Sequence, residues 1–256
     1  MTPVGPSIGW QLAVAISMLV AIAVGVAFVG RMPTGRRSAI AVARAVIQLA
    51  IVAGVVRLAL EHVWSAGLFV VVMLVVATFT SAGRVEARAA WPWVGVAIAA
   101  GVAPVIVVVF GTGSTPVNPS AVVAICGIVI GNAMTACSLA VRRAVASLRE
   151  QRGQVEAALA LGLSRAFAIG LVIDRDRSEA LVPVLDQTRT VGLVTLPGAF
   201  VGVLLGGGST AEAAAAQVIV LAGLITADTI TVVIASRLVA TGRILPPDVR
   251  AQLPSA

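Results

Sequence analysis

Ala121–Arg143 reads AVVAICGIVIGNAMTACSLAVRR. No charged side chain occurs from Ala121 to Val141, and two arginines follow at once. A bilayer core is crossed by about 20 apolar residues in a helix, so this stretch predicts a transmembrane helix with a basic flank. The same pattern recurs on both sides of it. Seven spans can be drawn, at Ile8–Gly30, Ala39–Leu60, Val63–Thr80, Pro92–Phe110, Ala121–Val141, Thr190–Leu205 and Ala213–Val239. The predicted fold class is all-α, a polytopic membrane protein with one transmembrane domain over residues 1–256.

The connectors carry the orientation. Arg31, Arg36 and Arg37 follow the first span, Arg84 and Arg88 the third, and Arg237, Arg243 and Arg250 the last, while Arg142–Arg189 holds eight arginines. The intervening connectors are nearly free of them: Gly111–Ser120 (GTGSTPVNPS) has no charge. Arginine in short loops marks the cytoplasmic side. The pattern therefore predicts an outside N-terminus, a cytoplasmic C-terminus and an odd number of crossings. The Ala/Val/Gly/Arg bias points to a GC-rich bacterial genome, and hence to a bacterial cell membrane.

Composition agrees. Hydrophobic residues make up 59% of the 256-residue chain and charged residues 11%, and the mean hydropathy is +1.05. The net charge of +7 does not indicate nucleic acid, because it sits beside the spans, as the membrane rule requires. All 18 basic residues are arginine. With no lysine, no Walker A loop can be written, so ATP is not expected on this chain by that route and no cofactor of its own is expected. Cys126 and Cys137 share one span about three turns apart, too far for a disulfide within the helix. There is one histidine, and no HExxH or CxxC motif, so an intramembrane enzyme lacks its parts.

Arg142–Arg189 is too long for a turn and too charged for lipid. It predicts a cytoplasmic helical excursion that meets a soluble partner. Inside it, Glu156-Ala157-Ala158-Leu159-Ala160-Leu161-Gly162 reads as a slim helix. Glu156 is expected in its first turn, where the dipole favours an acid. Gly162 would supply the positive φ that ends it, and Ser164 would cap the next helix. The segment is either a plug for a groove on another protein or a plain amphipathic linker, since Ala-rich helices followed by Gly are common. Asp174, Asp176 and Glu179 alternate with Arg175 and Arg177, as in a solvated loop.

The EAA-x3-G pattern resembles the docking loop of ABC importer permeases, although Val182-Pro183 stands where an importer's I-x-L-P would be. A resemblance over most of the chain is more specific. It runs through Arg44-Ala45-Val46-Ile47-Gln48-Leu49, Gly131-Asn132-Ala133-Met134, Glu156–Gly162, Pro183–Thr188, Thr190–Gly198 and Leu205-Gly206-Gly207. On these stretches the chain resembles the FetB/YbbM family of ABC transporter permeases, which includes bacterial iron exporters and plant aluminium-tolerance permeases. The resemblance implies a seven-helix permease with a separate cytoplasmic ATPase that carries the ATP; one docking helix per chain against the two grooves of an ATPase dimer then predicts a homodimer of the permease. Glu156, Ala157, Ala158 and Gly162 would form the docking element.

Polar residues inside spans are costly and tend to face the bundle interior or a cavity. Arg44 and Gln48, at i and i+4, share a face; they either wall a transport path or, for Arg44, snorkel to the interface. Asn132 and Met134 lie in mid-span, to line a path or to pack. Asp228 is the sole acid deep in a span, and meets a cation, anchors another helix, or marks a span that ends nearer the interface than drawn. Pro197 within the sixth span is expected to bend or break it. Gly198, Gly202 and Gly206 form a small-xxx-small stripe for close helix packing, as a hinge or a static contact. The reading that joins these is an ABC permease exporting a metal ion such as iron. The alternative is a stand-alone secondary transporter or channel with Asp228 as its coupling acid.

Overall fold

The computed structural model describes residues 9–252. The protein is 82% helical, with no strand among the described residues. Among the described residues six helices are long and apolar enough to cross a membrane. The start of the first predicted span at Ile8, and both chain ends including Ala256, lie outside the described residues.

The chain divides into two compact units, one up to Leu58 and one from Ala59 onward. The first holds α1 (Trp10–Val29) and most of α2 (Gly35–Ala59), joined by a turn in which Arg31 takes φ +51°. Both are almost wholly exposed along their apolar length; within α1 only Ala27 is buried. Such surfaces are stable against hydrocarbon, not water.

The second unit is built on four long helices: α3 (Val63–Arg84), α4 (Trp91–Gly111), α5 (Pro119–Glu150) and α10 (Thr210–Ala240). Their starts are written locally. Asn118 caps α5, accepting from the Ala121 amide at 2.8 Å, with Pro119 at the first helical position. Ser209 and Glu212 form a reciprocal capping box at the start of α10. The core follows helical spacing, with Val94, Ile98, Val102, Val105 and Val109 of α4 against Val129, Ala133, Cys137 and Val141 of α5. Small residues let the backbones close up: Gly95 of α4 meets Thr78 of α3, and Gly127 of α5 meets Met73 of α3.

Three helical pieces follow α5: α6 (Arg152–Ala160), α7 (Arg165–Ile173) and, after a 3-10 turn at Arg177–Leu181, α8 (Val182–Thr190). The excursion is helical, as expected, but its acids are not a free loop. The Ser147 hydroxyl donates to Asp176 at 2.9 Å, and Arg143 pairs with Glu179 at 3.2 Å, pinning the 3-10 turn beside the last turns of α5. Helix α5 itself runs nine residues past Val141, because Arg, Ala, Ser and Leu continue a helix where hydropathy stops.

The sixth predicted span is not one helix. Thr190 ends α8, Val191–Pro197 is a tight turn, and α9 (Gly198–Leu205) is only 8 residues long. Gly192 at φ +79° closes the turn, its amide bonding the Thr195 carbonyl at 2.9 Å. Pro197 lacks an amide proton and holds Leu196 away from the helical region. It therefore begins α9 as its N-cap and does not kink a helix from within. Eight residues span about 12 Å, well short of a bilayer core.

The chain nevertheless travels the length of the bundle here. Asp248, in the final short helix α11 (Pro247–Gln252), pairs with Arg149 at the end of α5 at 2.7 Å. The C-terminal ends of α5 and α10 thus lie together. Residues 151–209 must return from that end to the start of α10, and α9 makes the last part of the passage packed on α10.

Candidate functional site

Helix α10 turns one face into the bundle through Gln217, Leu221, Leu224, Asp228, Thr231 and Ala235, at steps of three and four. Three of these are polar: Gln217 is 4% exposed, Asp228 3% and Thr231 0%. Gln217 Oε1, Asp228 Oδ1 and Thr231 Oγ1 have no hydrogen-bond partner among the described residues. An unpartnered buried amide or hydroxyl costs roughly 1–3 kcal/mol, and a carboxylate more. Their neighbours explain why no partner is near. Helix α4 crosses at Gly101, where an added Cβ would collide with the Thr231 hydroxyl and the Ala227 carbonyl. On the α5 side, Val232 clusters with Ala136 and Ala140. The groups sit in an apolar seam between helices packed at backbone distance.

Asp228 and Thr231 are one turn apart and can act on one ion. Gln217 lies three turns away, about 16 Å along the axis. The arrangement is two stations on a line, not one chelating cage. Among the described residues no cluster of three His, Cys, Asp or Glu side chains forms a resident metal site.

The other predicted path residues fall differently. Asn132 is half-buried and donates to the Ile128 carbonyl of its own helix at 3.0 Å. It stands one turn before Ala136, as Asp228 stands one turn before Val232, so the two occupy the same level of the bundle. Met134 packs partly buried against the core. Arg44 and Gln48 share one face of α2 in the first unit, both exposed. Gln217 was missed in the sequence, where it ends an alanine run; its spacing from Asp228 is the signal that could have found it.

The α6–α7 elbow is the second site. Helix α6 ends in a Schellman motif: the Gly162 amide bonds the Leu159 carbonyl at 2.9 Å and the Leu163 amide the Ala158 carbonyl at 3.2 Å, with Gly162 at φ +82°. Ser164 caps α7, its hydroxyl oxygen accepting from the Phe167 amide. Val155 and Ala158 are buried against the bundle core. Ala158 therefore anchors α6 from its buried face. Glu156, Ala157 and Ala160 face outward, with Leu161 at the tip 81% exposed. Glu156 is in the middle of α6, not its first turn, because the helix starts at Arg152; it pairs with Arg152 at 2.7 Å.

Gly198, Gly202 and Gly206 are exposed, and a Cβ on Gly198 or Gly202 would meet nothing within 4 Å. Among the described residues of the second unit, the stripe expected to pack closely meets no neighbouring helix at Gly198 or Gly202.

The sequence matches the family described as "Uncharacterised protein family (UPF0014)" over residues 10–243. The chain belongs to this family. Among its relatives, "UPF0014 membrane protein STAR2" of Oryza sativa subsp. japonica is 30% identical over 90% of this chain and 82% of its own length. "Probable iron export permease protein FetB" of Escherichia coli is 27% identical, over 88% of each chain. "Protein ALUMINUM SENSITIVE 3" of Arabidopsis thaliana is 36% identical over 45% of this chain and 42% of its own. No solved structure matches the chain significantly. The family and the helices together make this UPF0014 protein a multi-pass, all-α membrane protein.

Proposed function

We propose that this chain is the membrane permease of an ABC-type exporter of a metal cation such as iron, driven by a separate cytoplasmic ATPase that binds the ATP. The observation that carries the reading is the α10 seam. A carboxylate, a hydroxyl and an amide face the interior of an apolar bundle with oxygen atoms unspent. In hydrocarbon such groups are tolerated mainly where they meet an ion, water or each other, and oxygen donors suit hard or intermediate cations. The name of the Escherichia coli relative points to the same cargo.

Coupling is assigned to the elbow. Glu156, Ala157 and Leu161 would enter a groove on the ATPase, with Gly162 fixing the turn and α7 carrying its motion to α10, against which it packs. The open stripe of α9 and the exposed apolar lengths of α1 and α2 support a homodimer in lipid. On this reading residues 1–256 act as one permease domain. The passage through α8, the Val191–Pro197 turn and α9 is a seventh, broken crossing, and residues 142–189 and the C-terminus are cytoplasmic. Broken crossings are where transporters place mobile backbone.

ATP-driven metal uptake into inside-out vesicles that carry the permease and its ATPase tests the reading. Asp228→Asn should abolish metal movement while complex yield is unchanged; full activity in that variant removes α10 from the path. Single-cysteine labelling in intact cells checks the orientation, and an externally labelled 142–189 segment refutes it.

A further inference from the structure

At the arginine-rich end of the bundle, away from the α10 seam, the start of α4 and the segment after α10 enclose a cavity of about 470 Å³. Arg88, Arg243 and Arg250 line it, together with Trp93, Ala90 and Leu245. None of the three arginines has a carboxylate partner among the described residues. The acids nearby do not neutralise them: Asp248 is taken by Arg149 at 2.7 Å, and Glu86 is exposed and in no ion pair. Two of the three guanidiniums are held in place. Arg243 lies over the Trp93 ring at 4.2 Å, which leaves its N–H edge free, and Arg250 donates to the Gly242 carbonyl at 2.9 Å. Gly242, at φ +74°, makes the sharp turn that brings this segment back over α4.

The level of the cavity is also marked. Trp91 stacks on Phe79 at 5.0 Å on the exposed face of α3 and α4, with Trp93 beside it. Exposed tryptophans next to arginines are the signature of the membrane–water interface. Fixed guanidiniums without counter-charge, over an apolar floor at headgroup depth, fit a phosphate anion.

We propose that this cavity binds the phosphate of an anionic phospholipid headgroup. The test uses the delipidated full-length protein, followed by native mass spectrometry and thermal melting. It is titrated with dioleoyl-phosphatidylglycerol, with dioleoyl-phosphatidylcholine and, separately, with inorganic phosphate. Phosphatidylglycerol should bind in preference to phosphatidylcholine. Arg88→Gln should weaken that binding about fivefold, as should Arg243→Gln, at about 1 kcal/mol per basic residue. Arg175→Gln, a charge loss elsewhere, should leave it unchanged. Arg88 is exposed and makes no ion pair among the described residues, so its variant keeps the test readable if Arg243→Gln, which loses the Trp93 stack, fails to fold. Equal binding of the two lipids, or unaltered preference in Arg88→Gln, overturns the proposal. A melting response to inorganic phosphate that needs Arg88, without any to phosphatidylglycerol, gives the site to a free oxyanion and overturns the lipid source.

Discussion

The α6–α7 elbow and the middle of α10 break the ordinary rule of burial in opposite directions. The elbow exposes leucine: Leu161 at its tip and Phe167 behind it stand in the open, while Glu156 pairs with Arg152 and Ser164 caps α7, and the Arg165 Nε beside that cap lacks a partner among the described residues. Helix α10 buries polar atoms and leaves them unsatisfied. Each departure costs free energy in the isolated chain, and each is relieved by a different visitor. Exposed apolar surface on a rigid, capped turn fits a protein groove. Orphaned oxygens in an apolar seam fit a desolvated cation. The two proposed sites can thus be told apart by which rule they break.

That contrast can be broken first at the seam. A Cβ on Gly101 has nowhere to go, so Gly101→Ala should destabilise the bundle by about 1–3 kcal/mol and lower its melting temperature in detergent, whereas Gly202→Ala, facing open space, should not. An unchanged melt for Gly101→Ala would mean that α4 and α10 are not in backbone contact. Replacing the orphan itself sharpens the comparison. Asp228→Leu should raise stability by about 1–3 kcal/mol, since an unsatisfied group is removed, while transport is lost. Loss of both together would make Asp228 a structural anchor instead.

At the elbow the signs reverse. Leu161→Ser should leave the melt unchanged and weaken ATPase co-purification, as should Glu156→Lys. Gly162→Ala should cost about 1–2 kcal/mol, because an alanine is strained at φ +82°. Undiminished ATPase recovery in Leu161→Ser and Glu156→Lys would leave the segment a linker.

The smallest effect is acid sensitivity at the Arg149–Asp248 contact. The hydrogen bond from Arg149 holds the Asp248 carboxyl below its ordinary value. The contact therefore adds stability above the ordinary carboxylate range and loses it as pH falls through the lowered pKa. Asp248→Asn should flatten the acid limb of a melting-temperature profile. An identical profile in that variant would show that the contact is too exposed to matter.

Much of this was legible from patterns that physics writes strongly. The apolar lengths of α1 to α5 and α10 fix their existence, and Gly162 and Ser164 announce their turns. Asp228 stands out because an acid in mid-span is rare. The α8–α9 passage was misread because Val, Leu and Phe raise hydropathy whether or not the backbone is helical; Gly192 and Pro197 were the punctuation that mattered. Gln217 was hidden because its role depends on a face of α10, which only the packing of α4 and α5 selects. The side of α6 that Ala158 takes was hidden because the alanines look alike until Val155 shows which face is buried.

The account stands or falls on coupling between the two sites. The decisive measurement is ATP hydrolysis by the purified complex of this permease and its ATPase, titrated with a panel of metal ions including iron. Metal should stimulate hydrolysis in the native complex, and Asp228→Asn should abolish the stimulation with the complex still assembled. Hydrolysis indifferent both to every metal and to Asp228→Asn would contradict it.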